Sequence, residues 1–262
     1  MKNVKSGNVQ INYTITGNGE KTLLFVHGSF IDHTWWSDQI NYFKENYKVV
    51  AMDLAGHGQS GKNRKIWTVK KFGDDVIAVM KQLELKNVIL IGHSMGADAA
   101  LEAAVSYPGP VEGIIGIDIL KNAGTAMPAE AQRQANELIA GLETDFENAS
   151  EGYARMLLLT QQTNKSLTDR VARAYRNADP VMGAASTKDL LKYYNRERKL
   201  LKQLKFRLCL INVDYMPTNE QPLKEYAAGG YELFNMHGTC HFPMVENPGV
   251  FNGVLEQVLS AI

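Results

Sequence analysis

The spacing of apolar positions along the chain changes several times. Residues 9–16 (VQINYTIT) alternate between apolar and polar, which predicts a half-buried strand at a sheet edge. Later strand-like runs are mostly apolar, as in strands that a parallel sheet buries on both faces, and lie at residues 22–26, 47–52, 88–91, 111–120, 206–213 and 231–236. Segments with helical spacing separate them, at residues 32–45, 68–83, 221–228 and 248–262. This alternation predicts an α/β fold with a mainly parallel twisted sheet and helices on both faces.

The alternation of strands and helices stops between residues 121 and 205. This stretch contains only helical patterns, at residues 130–142, 152–162, 167–177 and 188–204. We therefore expect a core domain made of residues 1–120 and 206–262, with residues 121–205 inserted after strand 6 as an all-helical lid. An insertion at that point lies over the carboxyl ends of the strands, where such sheets bind ligands.

The chain of 262 residues has 28 Lys and Arg against 28 Asp and Glu, so its formal net charge is zero. Balanced charge favours a small-molecule substrate over nucleic acid or an anionic membrane. The N-terminal segment lacks a signal-peptide core and no eighteen apolar residues run together, so we expect a cytoplasmic protein with no membrane span. Two cysteines, Cys209 and Cys240, provide neither a disulfide framework nor a zinc ligand set. We expect a monomer or homodimer without metal or cofactor.

The segment Gly92-His93-Ser94-Met95-Gly96 joins a buried strand to an Ala-rich helical segment. A G-x-S-x-G sequence in that setting predicts a nucleophile elbow, a sharp turn that forces the serine towards a positive φ. The glycines on either side let strand and helix approach closely. The following helix points the positive end of its dipole towards the hydroxyl, which suits an attack that creates an oxyanion. Ser94 is therefore the candidate nucleophile.

Four ordered motifs are spread over nearly the whole chain: HGS at 27–29, DLAGHGQS at 53–60, GHSMG at 92–96 and HFPMVENP at 241–248. Together they resemble the α/β-hydrolase superfamily. Within it the chain is most similar to the lidded serine esterases, because position 94 carries serine where dehalogenases and epoxide hydrolases place aspartate. The resemblance implies an α/β-hydrolase fold and a triad in the chain order Ser, acid, His.

A serine nucleophile needs a base within hydrogen-bond reach and a carboxylate that orients the base. His241 follows the last strand and begins the HFPMVENP motif, so the resemblance implies that it is the base. His237 is the alternative. For the acid, Asp214 directly follows a strand, at the position where the family usually presents its carboxylate. Asp118 near the end of the preceding strand is the alternative, because some members supply the acid there.

Glu220 is a third candidate for the acid. The tetrahedral intermediate also needs backbone N–H donors for its oxyanion. We expect one from Met95, the residue after the nucleophile, and the other from Ser29, with Phe30 as its alternative. Asp53 is expected to hold backbone N–H groups of its own loop, which is a structural role.

These residues predict a serine hydrolase that cleaves a small, uncharged carboxylic ester through an acyl-enzyme on Ser94. Two other interpretations stay open. The same triad serves a carbon–carbon bond hydrolase, lactonase, amidase, acyltransferase or perhydrolase equally well. A non-catalytic or slow-turnover receptor or signalling protein for a small molecule also fits the triad.

Overall fold

An eight-stranded sheet forms the centre of the computed structural model, which describes residues 2–262. The strands are β1 (Lys2–Ser6), β2 (Val9–Thr16), β3 (Thr22–Val26), β4 (Lys48–Met52), β5 (Val88–His93), β6 (Val111–Ile117), β7 (Leu208–Val213) and β8 (Tyr231–Met236). Their order is β1-β2-β4-β3-β5-β6-β7-β8. The β1–β2 and β2–β4 pairs are antiparallel and the other pairs are parallel. The predicted mainly parallel sheet is confirmed.

Helices follow most strands and pack on both faces of the sheet. They are α1 (Ser37–Phe43), α2 (Val69–Gln82), α3 (Met95–Ser106), α4 (Ala129–Thr144), α5 (Phe146–Leu157), α6 (Lys165–Arg176), α7 (Pro180–Leu190), α8 (Tyr194–Gln203), α9 (Glu220–Tyr226), α10 (Pro243–Glu246) and α11 (Pro248–Leu259), with a 3-10 helix at His33–Trp36 before α1. Among residues 2–262, no helix combines the length and the apolar character needed to cross a membrane.

We expected β2 to lie at the edge of the sheet, but it is the second strand of the sheet. β1 pairs with β2 and forms the edge instead. The sequence pattern misses β1 because only Val4 and Ser6 of its five residues are buried. Its exposed Lys2 and Lys5 are the charged side chains that keep edge strands from pairing with other chains.

Five helices, α4 to α8, occupy the chain between β6 and β7, where the pattern predicts an all-helical insertion. The pattern also predicts one helix over residues 188–204, and this is wrong, because α7 ends at Leu190 and α8 begins at Tyr194. The start of α7 had a local signal. Asp179 accepts a hydrogen bond from the N–H of Met182, and Pro180 occupies the first turn.

The carboxyl ends of four parallel neighbours, β3, β5, β6 and β7, meet at one edge of the sheet. The register places Val26 beside Gly92, and Ile117 beside Ile211. His27 and three candidate site residues, Ser94, Asp118 and Asp214, follow directly after these four ends. The fold therefore concentrates these candidates at this carboxyl edge.

Two carboxyl groups lie close together between α3 and α8, the last helix of the insertion. Asp98 is buried and Glu197 beside it is half-buried, and burial raises the pKa of both, that of Glu197 to about 7. The neighbouring Glu102 is satisfied separately, because it accepts hydrogen bonds from the Tyr193 hydroxyl and the Arg196 guanidinium at 2.7 Å each. The raised pKa values favour a proton that the Asp98–Glu197 pair keeps in the folded state as pH approaches 7.

We expect the free energy of unfolding to fall as pH rises from about 4.5 to about 7, by up to ~1.4 kcal/mol per pH unit for each retained proton. The sign follows because the unfolded chain loses these protons near pH 4, whereas the folded state keeps them. Glu197→Gln should flatten this dependence by about one proton in urea unfolding measured from pH 5 to 8. Glu143→Gln, a change at an exposed carboxylate of the insertion, is the control. Equal slopes for wild type and Glu197→Gln would contradict the shared proton.

Candidate active site

The turn between β5 and α3 has the geometry of the predicted elbow. Ser94 adopts φ 51° and ψ −129°. Neither flanking glycine can be replaced without a clash, because a Cβ on Gly92 would lie 2.4 Å from the Cα of Ala97 and one on Gly96 would lie 2.2 Å from the carbonyl oxygen of His27. The Ser94 side chain does not cap α3 and is half-buried. Its hydroxyl is therefore not tied to the helix that it precedes.

The two residues expected to donate to an oxyanion are neighbours in space. The Ser29 hydroxyl lies 3.5 Å from the sulfur of Met95. Gly28 packs so closely on the elbow that a Cβ there would lie 3.1 Å from the Cβ of Ser94. Because Met95 is the first residue of α3, its N–H has no partner within that helix. This arrangement leaves a helix N-terminus and a loop beside the candidate nucleophile.

Side chains from the insertion pack against Phe30, the residue that follows Ser29 in its loop. Phe30 has φ 63°, a left-handed conformation that bulky residues rarely adopt. Its ring makes edge contacts with Phe146 at 5.7 Å and Tyr175 at 5.0 Å between centroids. Gly183 leaves the space for this contact, because a Cβ there would lie 2.4 Å from Phe146 and 3.1 Å from Phe30. The insertion thus packs directly against the loop that carries Ser29.

His241 lies at the same edge in a fixed position. Its Nδ1 is 2.6 Å from Oδ2 of Asp118, and both side chains are buried. Its backbone is held on both sides, since its N–H donates to the carbonyl of Leu158 at 3.0 Å and its carbonyl accepts from Nε2 of His93 at 2.8 Å. With Nδ1 engaged by the carboxylate, Nε2 is the nitrogen available to act as a base.

The structure corrects the expectation that Asp214 orients His241. Asp214 lies 2.8 Å from Nδ1 of His237, and these two side chains are 45% and 76% exposed. Asp118 follows β6, which is adjacent to the strand that carries Ser94, whereas Asp214 follows β7, one strand further away. The third acid candidate, Glu220, accepts from the Tyr231 hydroxyl at an exposed position.

The Asp118 carboxylate is surrounded by donors. The N–H of Val213 donates to Oδ1 at 3.1 Å, and Nζ of Lys121 lies 2.7 Å from the same atom. Burial raises the pKa of Asp118, but the hydrogen bond and charge of His241 and the ammonium of Lys121 outweigh burial and hold that pKa below its ordinary value. The carboxylate is therefore charged at neutral pH, as a group that stabilises an imidazolium must be.

His93 has a supporting position that the sequence pattern did not reveal. Burial and the neighbouring His241 lower the pKa of His93 to about 3, so its ring is neutral and donates through Nε2 to the His241 carbonyl. Its ring centroid lies 4.6 Å from that of His241. The position next to Ser94 was visible in the sequence, but no local pattern gives its contact with a residue 148 positions later.

Asp53 and its neighbours form the structural loop that the sequence predicts. Asp53 accepts hydrogen bonds from the N–H groups of His33 at 2.8 Å and Gln59 at 2.9 Å. The side chains of Asp32, His33 and Asp53 are close enough together to hold a cation. Asp32, however, caps the 3-10 helix by accepting from Thr34, and Asp53 accepts from the His33 ring. This cluster is explained by turn and capping contacts alone.

Comparison with known proteins identifies the fold family. Residues 21–223 match the family model of the alpha/beta hydrolase fold. A candidate esterase/lipase of Haemophilus influenzae is 39% identical over 97 residues, which are 37% of this chain and 33% of that protein. The matches to this and other curated relatives span only about a third of their lengths.

Two solved structures share the fold over almost the whole chain. A hydrolase from Oleispira antarctica has 20% sequence identity and a TM-score of 0.84, covering 95% of this chain and 94% of its own. A thermophilic esterase from Thermogutta terrifontis has 19% identity and a TM-score of 0.83, covering 99% of this chain and 98% of its own. The chain belongs to the α/β-hydrolase family.

Proposed function

We propose that this protein is a serine hydrolase that cleaves a small, uncharged carboxylic ester through an acyl-enzyme on Ser94. The observation that carries the proposal is the buried Asp118–His241 pair at the sheet edge that holds the elbow. The elbow and the turn that carries Asp118 are in contact through the backbone, because the N–H of Ser94 donates to the carbonyl of Ile117, the residue before Asp118, at 3.0 Å. The relatives of the esterase type support the same reaction.

In the proposed reaction, Oγ of Ser94 attacks the ester carbonyl while Nε2 of His241 accepts the hydroxyl proton. Asp118 stays ionised and stabilises the imidazolium through Nδ1. The N–H groups of Met95 and Ser29 stabilise the oxyanion of the tetrahedral intermediate. The alcohol leaves with the proton from His241, and water then repeats the sequence on the acyl-enzyme and releases the acid.

The insertion is proposed to act as the lid that selects the substrate. Phe146 and Tyr175 bring aromatic surface to Phe30, beside the loop that carries Ser29. Tyr153 lies next to Tyr175, with ring centroids 6.4 Å apart. Aromatic side chains favour an apolar acyl or alcohol group, and the zero net charge of the chain gives no attraction for a strongly charged one.

A fluorophosphonate probe should label the wild-type protein on Ser94, because the probe reacts with a serine that a neighbouring base activates. Labelling is measured by intact-protein mass and peptide mapping. Ser94→Ala should take up no probe. Ser106→Ala, a change at the exposed other end of α3, should label like wild type. Labelling that persists in Ser94→Ala would remove the nucleophile from this proposal.

Replacement of the two candidate acids by asparagine separates their roles. We expect Asp118→Asn to lower kcat about 10³- to 10⁴-fold, because the imidazole loses the carboxylate that sets its tautomer and stabilises its cation. Asp214→Asn should stay within about twofold of wild type, since that side chain is exposed and contacts His237. Steady-state kinetics of both variants on one ester decides between the two acids. A larger loss in Asp214→Asn than in Asp118→Asn would identify Asp214 as the acid.

A substrate panel tests the bond that is cleaved. We expect turnover of para-nitrophenyl esters of short to medium acyl chains, with kcat/KM highest for uncharged acyl groups, and much slower turnover of lactones and diketones. Ser94→Ala measures the background rate for each compound. Labelling of Ser94 without turnover of any ester would exclude the esterase and favour one of the other reactions of the same triad, or a receptor.

A further inference from the structure

The side chain of Lys121 is fully engaged beside the Asp118 carboxylate. Its Nζ lies 2.7 Å from Oδ1 of Asp118 and donates to the carbonyls of Val213 at 2.8 Å and Met216 at 2.7 Å. An ammonium group has three N–H donors, so these three acceptors use all of them. The side chain is 12% exposed, which is low for a lysine. Lys121 is therefore held in one place, unlike a lysine on a solvated surface.

The ring of Tyr215 completes this arrangement. Nζ of Lys121 lies 4.6 Å from its centroid, and the Tyr215 hydroxyl lies 3.5 Å from Oδ2 of Asp118. An ammonium on an aromatic face is attracted by the ring and shielded from water. Shielding strengthens the effect of the positive charge on the neighbouring carboxylate.

The backbone around Asp118 needs support of this kind. Asp118 has φ 48° and Leu120 has φ 57°, so two residues without the freedom of glycine adopt left-handed conformations within three positions. The carbonyl of Lys121 accepts from the N–H of Asn219 at 2.8 Å, which joins this turn to the loop after β7. Both the backbone and the side chain of Lys121 thus tie the turn after β6 to the turn after β7.

We propose that Lys121 is a positioning residue for the Asp118–His241 pair, a role that rests on the proposed function. Lys121 and the Val213 N–H occupy Oδ1 of the carboxylate, which leaves Oδ2 directed at His241. The ammonium also opposes a positive charge on the imidazole, because both groups share one carboxylate. Lys121 therefore fixes the geometry of the pair and keeps the shared carboxylate charged, because its ammonium lowers the pKa of Asp118.

The pH dependence of kcat/KM distinguishes this role from simple stabilisation of the fold. In Lys121→Met, the acid limb of the profile should move to higher pH by about half a unit to one unit, because the Asp118–His241 pair loses a neighbouring positive charge. We expect kcat on the plateau to fall about tenfold, with KM within about twofold, since all three N–H donors of the lysine are engaged by the protein. Lys121→Arg keeps the charge and should keep the position of the limb.

Lys81→Met is the matched control. Lys81 also lies on a tyrosine ring, 4.7 Å from the centroid of Tyr107, but at the end of α2. This variant should leave both the rate and the profile unchanged. An acid limb at the same pH in wild type and Lys121→Met would overturn the proposal. Should Lys121→Met fail to fold, Lys121→Gln supplies the neutral side chain with a hydrogen-bond donor, and the same shift is required of it.

A second readout does not depend on turnover. The Nδ1–H proton of His241, one of six histidines in the chain, is observed by NMR in the Ser94→Ala protein with and without Lys121→Met. Its signal should shift or broaden without the lysine, because the carboxylate that accepts this hydrogen bond is no longer held in place, and an unchanged signal would contradict the proposal. Failure of the ester assays together with a changed His241 signal would reject the esterase while leaving the role of Lys121 towards this pair intact.

Discussion

A buried hydrogen bond between the Asp118 carboxylate and the His241 imidazole, 2.6 Å long, determines how the candidate site is arranged. A carboxylate can stay charged in the interior only when donors surround it. Val213 and Lys121 supply these donors on the other oxygen. Asp118 itself lies in a turn and adopts a positive φ, and neighbouring loops hold this turn in place. The result is an imidazole whose tautomer is set and whose second nitrogen is available.

The inserted helices contribute to this arrangement and do more than cover it. Phe146 packs on Phe30 next to the Ser29 loop, and the carbonyl of Leu158 accepts from the backbone of His241. Glu197 of α8 lies beside Asp98 of α3, the helix that begins after Ser94, and burial raises the pKa of both carboxyl groups. Each of these contacts joins the insertion to a different part of the site. A shift of the insertion would therefore move the Ser29 loop, His241 and α3 together.

Sequence alone predicts the sheet and the elbow because both depend on local patterns. β2, β3 and β8 have the expected bounds, and the φ of Ser94 follows from glycines at fixed spacing. The expected contact of Asp214 with His241 was wrong because Asp118 and Asp214 both follow parallel strands, and only the path of the loop to His241 separates them. The sequence pattern identified Lys121 only as the first residue of the insertion and did not predict its contact with Asp118. A lysine three positions after a strand-end aspartate was the available signal.

The most direct test of this account is a crystal structure of the protein after reaction with a fluorophosphonate. We expect phosphorus bonded to Oγ of Ser94, a phosphonyl oxygen within hydrogen-bond distance of the N–H groups of Met95 and Ser29, and Nδ1 of His241 on Asp118. An imidazole that turns to Asp214 in this adduct, or an adduct on another residue, would contradict the account.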